Sequence, residues 1–113
     1  MASRILAFLA LPVLALAGVS LSHAVFAGER HVVSQKGKHF SATEVHVKVG
    51  DVIEFKNDDD VSHNVFSVSK IQPFNTKVQV PGTQADITFN SEGTVEVRCA
   101  IHPAMKLVVR VEK

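Results

Sequence analysis

Val95-Glu96-Val97-Arg98-Cys99-Ala100-Ile101-His102-Pro103-Ala104-Met105-Lys106-Leu107-Val108-Val109-Arg110-Val111 reads as two alternating segments joined by a short interruption. Val95, Val97 and Cys99 share one parity against Glu96 and Arg98. Met105, Leu107, Val109 and Val111 share another against Lys106, Arg110 and Glu112. Successive side chains of a strand point to opposite faces, so both sulfur atoms are placed inward and His102 falls in the loop at the end of the sheet. The stretch from Cys99 to Met105 therefore gathers a thiol, an imidazole and a thioether. Thiolate and thioether favour copper, imidazole suits several transition metals, and two His with one Cys and a distant Met form the ligand set of electron-transfer copper sites. Such a set needs a second imidazole, and His63, in Val61-Ser62-His63-Asn64-Val65-Phe66, is the candidate.

Outward from this stretch the strand period persists. No window from Gly28 onward carries helical spacing of apolar residues, so an all-β domain is expected. His31-Val32-Val33-Ser34-Gln35 forms a first strand, turned by Lys36-Gly37-Lys38 into His39-Phe40. Val45, Val47 and Val49 alternate with Glu44, His46 and Lys48; after Gly50-Asp51, Ile53 and Phe55 share the next inward face. Asn57-Asp58-Asp59-Asp60 is a solvated loop by composition, without the spaced oxygen ligands of a calcium loop. Val61 to Val68 is the strand or strand edge carrying His63. Lys70 to Thr76 has the least pattern, Lys77-Val78-Gln79-Val80 is a short strand ended by Pro81-Gly82, and Ala85 to Phe89 resumes the alternation. About eight short strands at this spacing fit a two-sheet β-sandwich.

The first quarter has a different character. Arg4 precedes an almost unbroken apolar run from Ile5 to Val19, followed by small residues, which is the pattern of a secretory signal peptide. Cleavage is expected after Ala27, with Ala24 as the alternative, dividing the chain into a signal at 1–27 and a domain at 28–113. The run is interrupted by Pro12 and is short for a membrane span of roughly 20 residues, so no span is expected after cleavage. The chain has twelve Lys and Arg against eleven Asp and Glu, and loss of Arg4 leaves the remainder formally neutral. That balance argues against nucleic acid as a partner. The one cysteine permits no internal disulfide, and a bound metal would both stabilise an exported domain and occupy a vulnerable thiol.

His63-Asn64, Cys99, His102 and Met105 together carry a family resemblance. The chain resembles the cupredoxins, small blue copper proteins, over roughly Val45 to the C-terminus. The Cys-x-x-His-x-x-Met spacing is similar to the short ligand loop of amicyanin; plastocyanin and pseudoazurin place the Met further on. Pro103 after the second His agrees with amicyanin. Ile101 and Ala104 stand where amicyanin has Pro and Phe, so the partner need not be the same. The resemblance implies Greek-key connectivity and one type 1 copper per chain, held by His63, Cys99, His102 and an axial Met105. It also implies that Asn64 directs its backbone N–H at the Cys sulfur while its side chain braces the ligand loop.

Singly, each ligand has an ordinary explanation, as core thiol, core filler or loop histidine. Jointly they make a metal site. His31, His39 and His46 read as surface residues. A monomeric periplasmic one-electron carrier between a donor dehydrogenase or cytochrome and an acceptor is the expected function, with a copper carrier or assembly factor as the alternative. No enzymatic activity is expected, because protein side chains take every metal position. Docking is expected through the apolar rim of His102, with Phe74 as a further contributor and the Asp58-Asp59-Asp60 loop as the other candidate surface.

Overall fold

The computed structural model describes residues 3, 7, 9–18 and 28–113. The expected cleavage position, after Ala24 or Ala27, lies outside the described residues. Among the described residues no helix is long and apolar enough to cross a membrane.

Among the described residues nine strands form: β1 (Arg30–Lys36), β2 (His39–Phe40), β3 (Glu44–Lys48), β4 (Val52–Asn57), β5 (Val65–Ser67), β6 (Phe74–Asn75), β7 (Gln84–Thr88), β8 (Gly93–Cys99) and β9 (Lys106–Glu112). They build a four-stranded sheet ordered β2-β1-β4-β7 and a five-stranded sheet ordered β3-β9-β8-β5-β6. The expected all-β sandwich is therefore present. β1 lies parallel to β4, and β3 parallel to β9. These non-sequential neighbours arise because the chain crosses between sheets after β2 and again after β3, as a Greek-key sandwich requires.

Alternation explains the core. Val33, Ile53 and Phe55 from one sheet meet Val47, Val65, Val95, Val97, Leu107, Val109 and Val111 from the other, with Phe89 between them. Full burial of each such side chain is worth roughly 1.5–3 kcal/mol, which is why the inward parity decides the register. Two expectations are corrected. Lys77 to Val80 is no strand: Asn75 Oδ1 accepts from the Lys77 N–H at 2.7 Å and Lys77 adopts φ 64°, so the chain turns and only Gln79 pairs, in a bridge with His63. Phe74 is no surface residue either. It lies in β6, half-buried, with its ring 6.0 Å from that of Phe55 and 6.2 Å from that of Phe89, so it packs against the core.

His31 also departs from expectation. Its Nε2 stands 2.9 Å from Asp51 Oδ2, and Asp51 is buried at the β3–β4 turn. Asp51 Oδ1 accepts from the Glu29 N–H and Oδ2 from the Lys48 N–H. The carboxylate thus fastens the start of β1 to the turn, where Gly28 passes so close to Gly50 that a Cβ would come within 2.1 Å of its carbonyl oxygen. His46, beside Glu44 and Glu112, is exposed as expected, and so is His39. The Lys48 N–H foremost, with His31 and the Glu29 N–H, holds the Asp51 carboxyl below its usual range. A carboxylate with a depressed folded pKa contributes fully above its unfolded value, near 3.9, and loses that contribution as pH falls through the folded value. Asp51→Asn should therefore cost roughly 1.5–3 kcal/mol near neutrality in urea unfolding. The difference from the parent protein should narrow below about pH 4.

Candidate metal centre

Four short-range constraints bring the site together. Cys99 ends β8 directly opposite Val65 of β5, so its side chain is buried at the end of the sandwich with 1% exposure. His63 precedes β5 by two residues and is clamped by a reciprocal backbone pair with Gln79, His63 N to Gln79 O at 3.0 Å and Gln79 N to His63 O at 2.7 Å. Beneath this bridge lies a buried amide cluster. Gln35 Nε2 donates to Gln79 Oε1, Gln79 Nε2 to Phe55 O, and Asn57 Nδ2 to both Val61 O and Gln79 O. His102 sits in the turn between β8 and β9, which closes when the Met105 N–H bonds His102 O at 3.0 Å.

Three donors converge as a result. His63 Nδ1 is 3.6 Å from Cys99 Sγ, His102 Nδ1 is 3.9 Å from it, and the two Nδ1 atoms are 3.2 Å apart. These separations fit three ligand atoms around one ion at ordinary metal–nitrogen and metal–sulfur distances of about 2.0–2.3 Å. One soft thiolate with two imidazoles suits copper. Met105, the residue before β9, is buried at the end of the same turn. A second group, Glu29, His31 and Asp51, also brings ligand atoms together, but both Asp51 oxygens already serve backbone N–H groups.

Asn64 does part of what the resemblance implied. Its backbone N–H points at Cys99 Sγ, 3.4 Å away. Its side chain does not brace the ligand loop: Nδ2 donates instead to Asn75 Oδ1 at 2.7 Å, across the β5–β6 connection. The loop is tied through the backbone, by the Ala100 N–H to Asn64 O at 2.9 Å.

Asp59 departs most from the sequence reading. It is not a solvated loop residue, because its side chain is 6% exposed and its Oδ2 lies 2.9 Å from His63 Nε2. The Lys38 N–H foremost, and then His63, hold the Asp59 carboxyl well below the usual carboxylate range. A carboxylate four residues before a candidate ligand was the available signal, but two neighbouring aspartates carry the same chemistry. Only the fold distinguishes them: Asp58 instead accepts from Ser34 Oγ at the surface.

Comparison with known proteins agrees with this geometry. A purple cupredoxin from Nitrosopumilus maritimus shares the fold with a TM-score of 0.66 and 26% identity, over 73% of this chain and 99% of that one. A mutant of amicyanin in its Cu(I) form gives a TM-score of 0.69 and 28% identity, over 74% and 82% of the two chains. A copper-containing nitrite reductase from Thermus scotoductus gives a TM-score of 0.69 and 27% identity, over 74% of this chain but 22% of that enzyme. The methylamine utilization protein MauL of Methylorubrum extorquens is 36% identical over 63 residues, and the chain spans about half, 54%, of its length. Residues 29–112 match the family of copper binding proteins that includes plastocyanin and azurin, and with a thiol and two imidazoles converging at one end of the sandwich, the chain belongs to that plastocyanin/azurin family.

Proposed function

We propose that the protein is a periplasmic one-electron carrier with a single type 1 copper, exported by the signal at 1–27 and working between a donor dehydrogenase or cytochrome and an acceptor. The observation that carries the reading is the meeting of His63 Nδ1, His102 Nδ1 and Cys99 Sγ within 3.9 Å of one another. Bound copper would supply a couple between Cu(II) and Cu(I) that changes by one electron. His63, Cys99 and His102 would hold it, with Met105 as a fourth ligand in a loop of amicyanin length.

The chain's own residues supply the rest. The Asn64 N–H directed at Cys99 Sγ stabilises negative charge on the sulfur. His63, Cys99 and Met105 are at most 2% exposed, so the β-scaffold both excludes water and resists movement of the donors. Three buried ligands disfavour a protein that hands its ion over, and a set closed by four side chains leaves no position for a substrate. His102 is half-buried, and its turn presents exposed Ala100, Ile101, Pro103 and Ala104 around it. A small apolar rim on a neutral chain suits the brief, small-area encounters of redox proteins.

Copper(II) should give an intense visible thiolate band that disappears on reduction, and Cys99→Ser should abolish it; a colourless protein holding a full equivalent of Cu(II) would refute the assignment. Copper at a thousandfold its Kd should raise the unfolding free energy by about 4 kcal/mol. Met105→Leu should keep the colour and raise the reduction potential, since loss of a weak fourth ligand would favour the reduced ion; loss of copper as complete as in Cys99→Ser would make Met105 a primary ligand. Ile101→Lys or Ala104→Asp should slow electron self-exchange with the absorption unchanged, and unaltered rates for both would move the docking surface away from His102.

A further inference from the structure

An imidazole offers a metal only one of its nitrogens, and the other then carries a proton that needs an acceptor. His63 is fully buried and turns Nδ1 toward Cys99 and His102, so its Nε2–H cannot be satisfied by solvent. Among the described residues the acceptor is Asp59 Oδ2, at 2.9 Å. That carboxylate is itself immobilised. The Lys38 N–H donates to Oδ2 at 2.8 Å, the Asp60 N–H donates to Oδ1 at 2.9 Å, and the Asp59 N–H donates to Asn57 Oδ1 at 3.0 Å. Lys38 stands at φ 57° in the tight turn joining β1 to β2. A path of hydrogen bonds therefore runs from the hairpin of the four-stranded sheet, through Asp59, to the ring of His63 two residues before β5.

We propose that Asp59 is a positioning residue of the metal centre: it takes the Nε2–H of His63, fixes that ring as an Nδ1 donor, and places a negative charge one imidazole away that favours Cu(II) over Cu(I). The inference rests on the copper reading above. A carboxylate on the far nitrogen fixes tautomer and ring orientation and raises the basicity of the ligating nitrogen. Added negative charge near a site stabilises the more highly charged ion, so it lowers the reduction potential. A carboxylate that merely braced its loop would affect stability alone.

Two substitutions separate these effects. Asp59→Ala removes acceptor and charge; Asp59→Asn keeps an oxygen that can face Lys38 and His63 but removes the charge. Nitrogen-15 NMR of the copper-free full-length protein reads which nitrogen of His63 carries the proton. It should be Nε2 in the parent and in Asp59→Asn, with Nδ1–H appearing in Asp59→Ala. With copper, competition against chelators should give Asp59→Ala a loss of Cu(II) affinity of roughly 10–100-fold and a smaller loss for Cu(I). Each tenfold excess of the Cu(II) loss raises the potential by 59 mV for a one-electron couple, and Asp59→Asn should raise it too. A His63 tautomer unchanged in Asp59→Ala, or a potential unchanged in Asp59→Asn, would overturn the proposal; should Asp59→Ala not fold, the Asp59→Asn potential decides. A parent protein that binds no copper would refute the copper reading instead, and the tautomer measurement would still test the hold of Asp59 on the ring.

Discussion

The pairing of β5 with β8, which sets Val65 opposite Cys99, is the contact on which the site depends. It places Asn64, one residue before Val65, with its N–H on the sulfur and its carbonyl on the Ala100 N–H. It delivers His63, one residue earlier still, to the same side. A slip of one residue would turn every side chain of β5 to the opposite face. His63 and Val65 would then leave the interior together. Register is therefore a condition of the ligand set as well as of the core, and Val65, fully buried, ties the two requirements together.

Around that pairing the structure buries side chains of types that are mostly exposed in proteins. Gln35, Asn57, His63 and Gln79 are all interior. Burying such groups is costly unless each finds a partner, and here the partners are largely one another and the backbone of β4 and the loops. The amide cluster supports the bridge between His63 and Gln79 from below, while Asp59 holds the ring from the side. The donors consequently stand on a rigid frame. For a centre that changes charge by one electron, rigid donors mean little rearrangement between the two states, which is the property an electron carrier requires.

Stability and the proposed copper centre are also linked. The domain has one cysteine and no disulfide, and its hydrophobic core is modest. An ion bound only by the folded protein adds its binding energy to folding. At the same end, exposed Ala100, Ile101, Pro103 and Ala104 surround a half-buried His102, the rim proposed above for docking. Residues 28–113 carry eleven Lys and Arg against eleven Asp and Glu, so their net charge offers little long-range steering.

Much of this could be read along the chain, because two kinds of information are local. Alternation marks inward residues, and it identified β8 and β9, the inward sulfurs of Cys99 and Met105, and the sandwich itself. The ligand loop is also local: Cys99, His102 and Met105 lie on one turn, so their spacing was informative. His63 was recognisable through its joint occurrence with them. What remained was decided by side-chain partners distant in sequence. Among three adjacent aspartates, only Asp59 meets Lys38 and His63, because only it faces the β1–β2 turn in the folded chain. Phe74 lies in a segment with no period, and it is half-buried because its ring packs against Phe55 and Phe89. His31 looks like a surface residue until the crossing of β3 into β4 brings Asp51 beside it. Alternation tells which face a side chain takes; which partner waits on that face depends on chain crossings that only the tertiary structure sets.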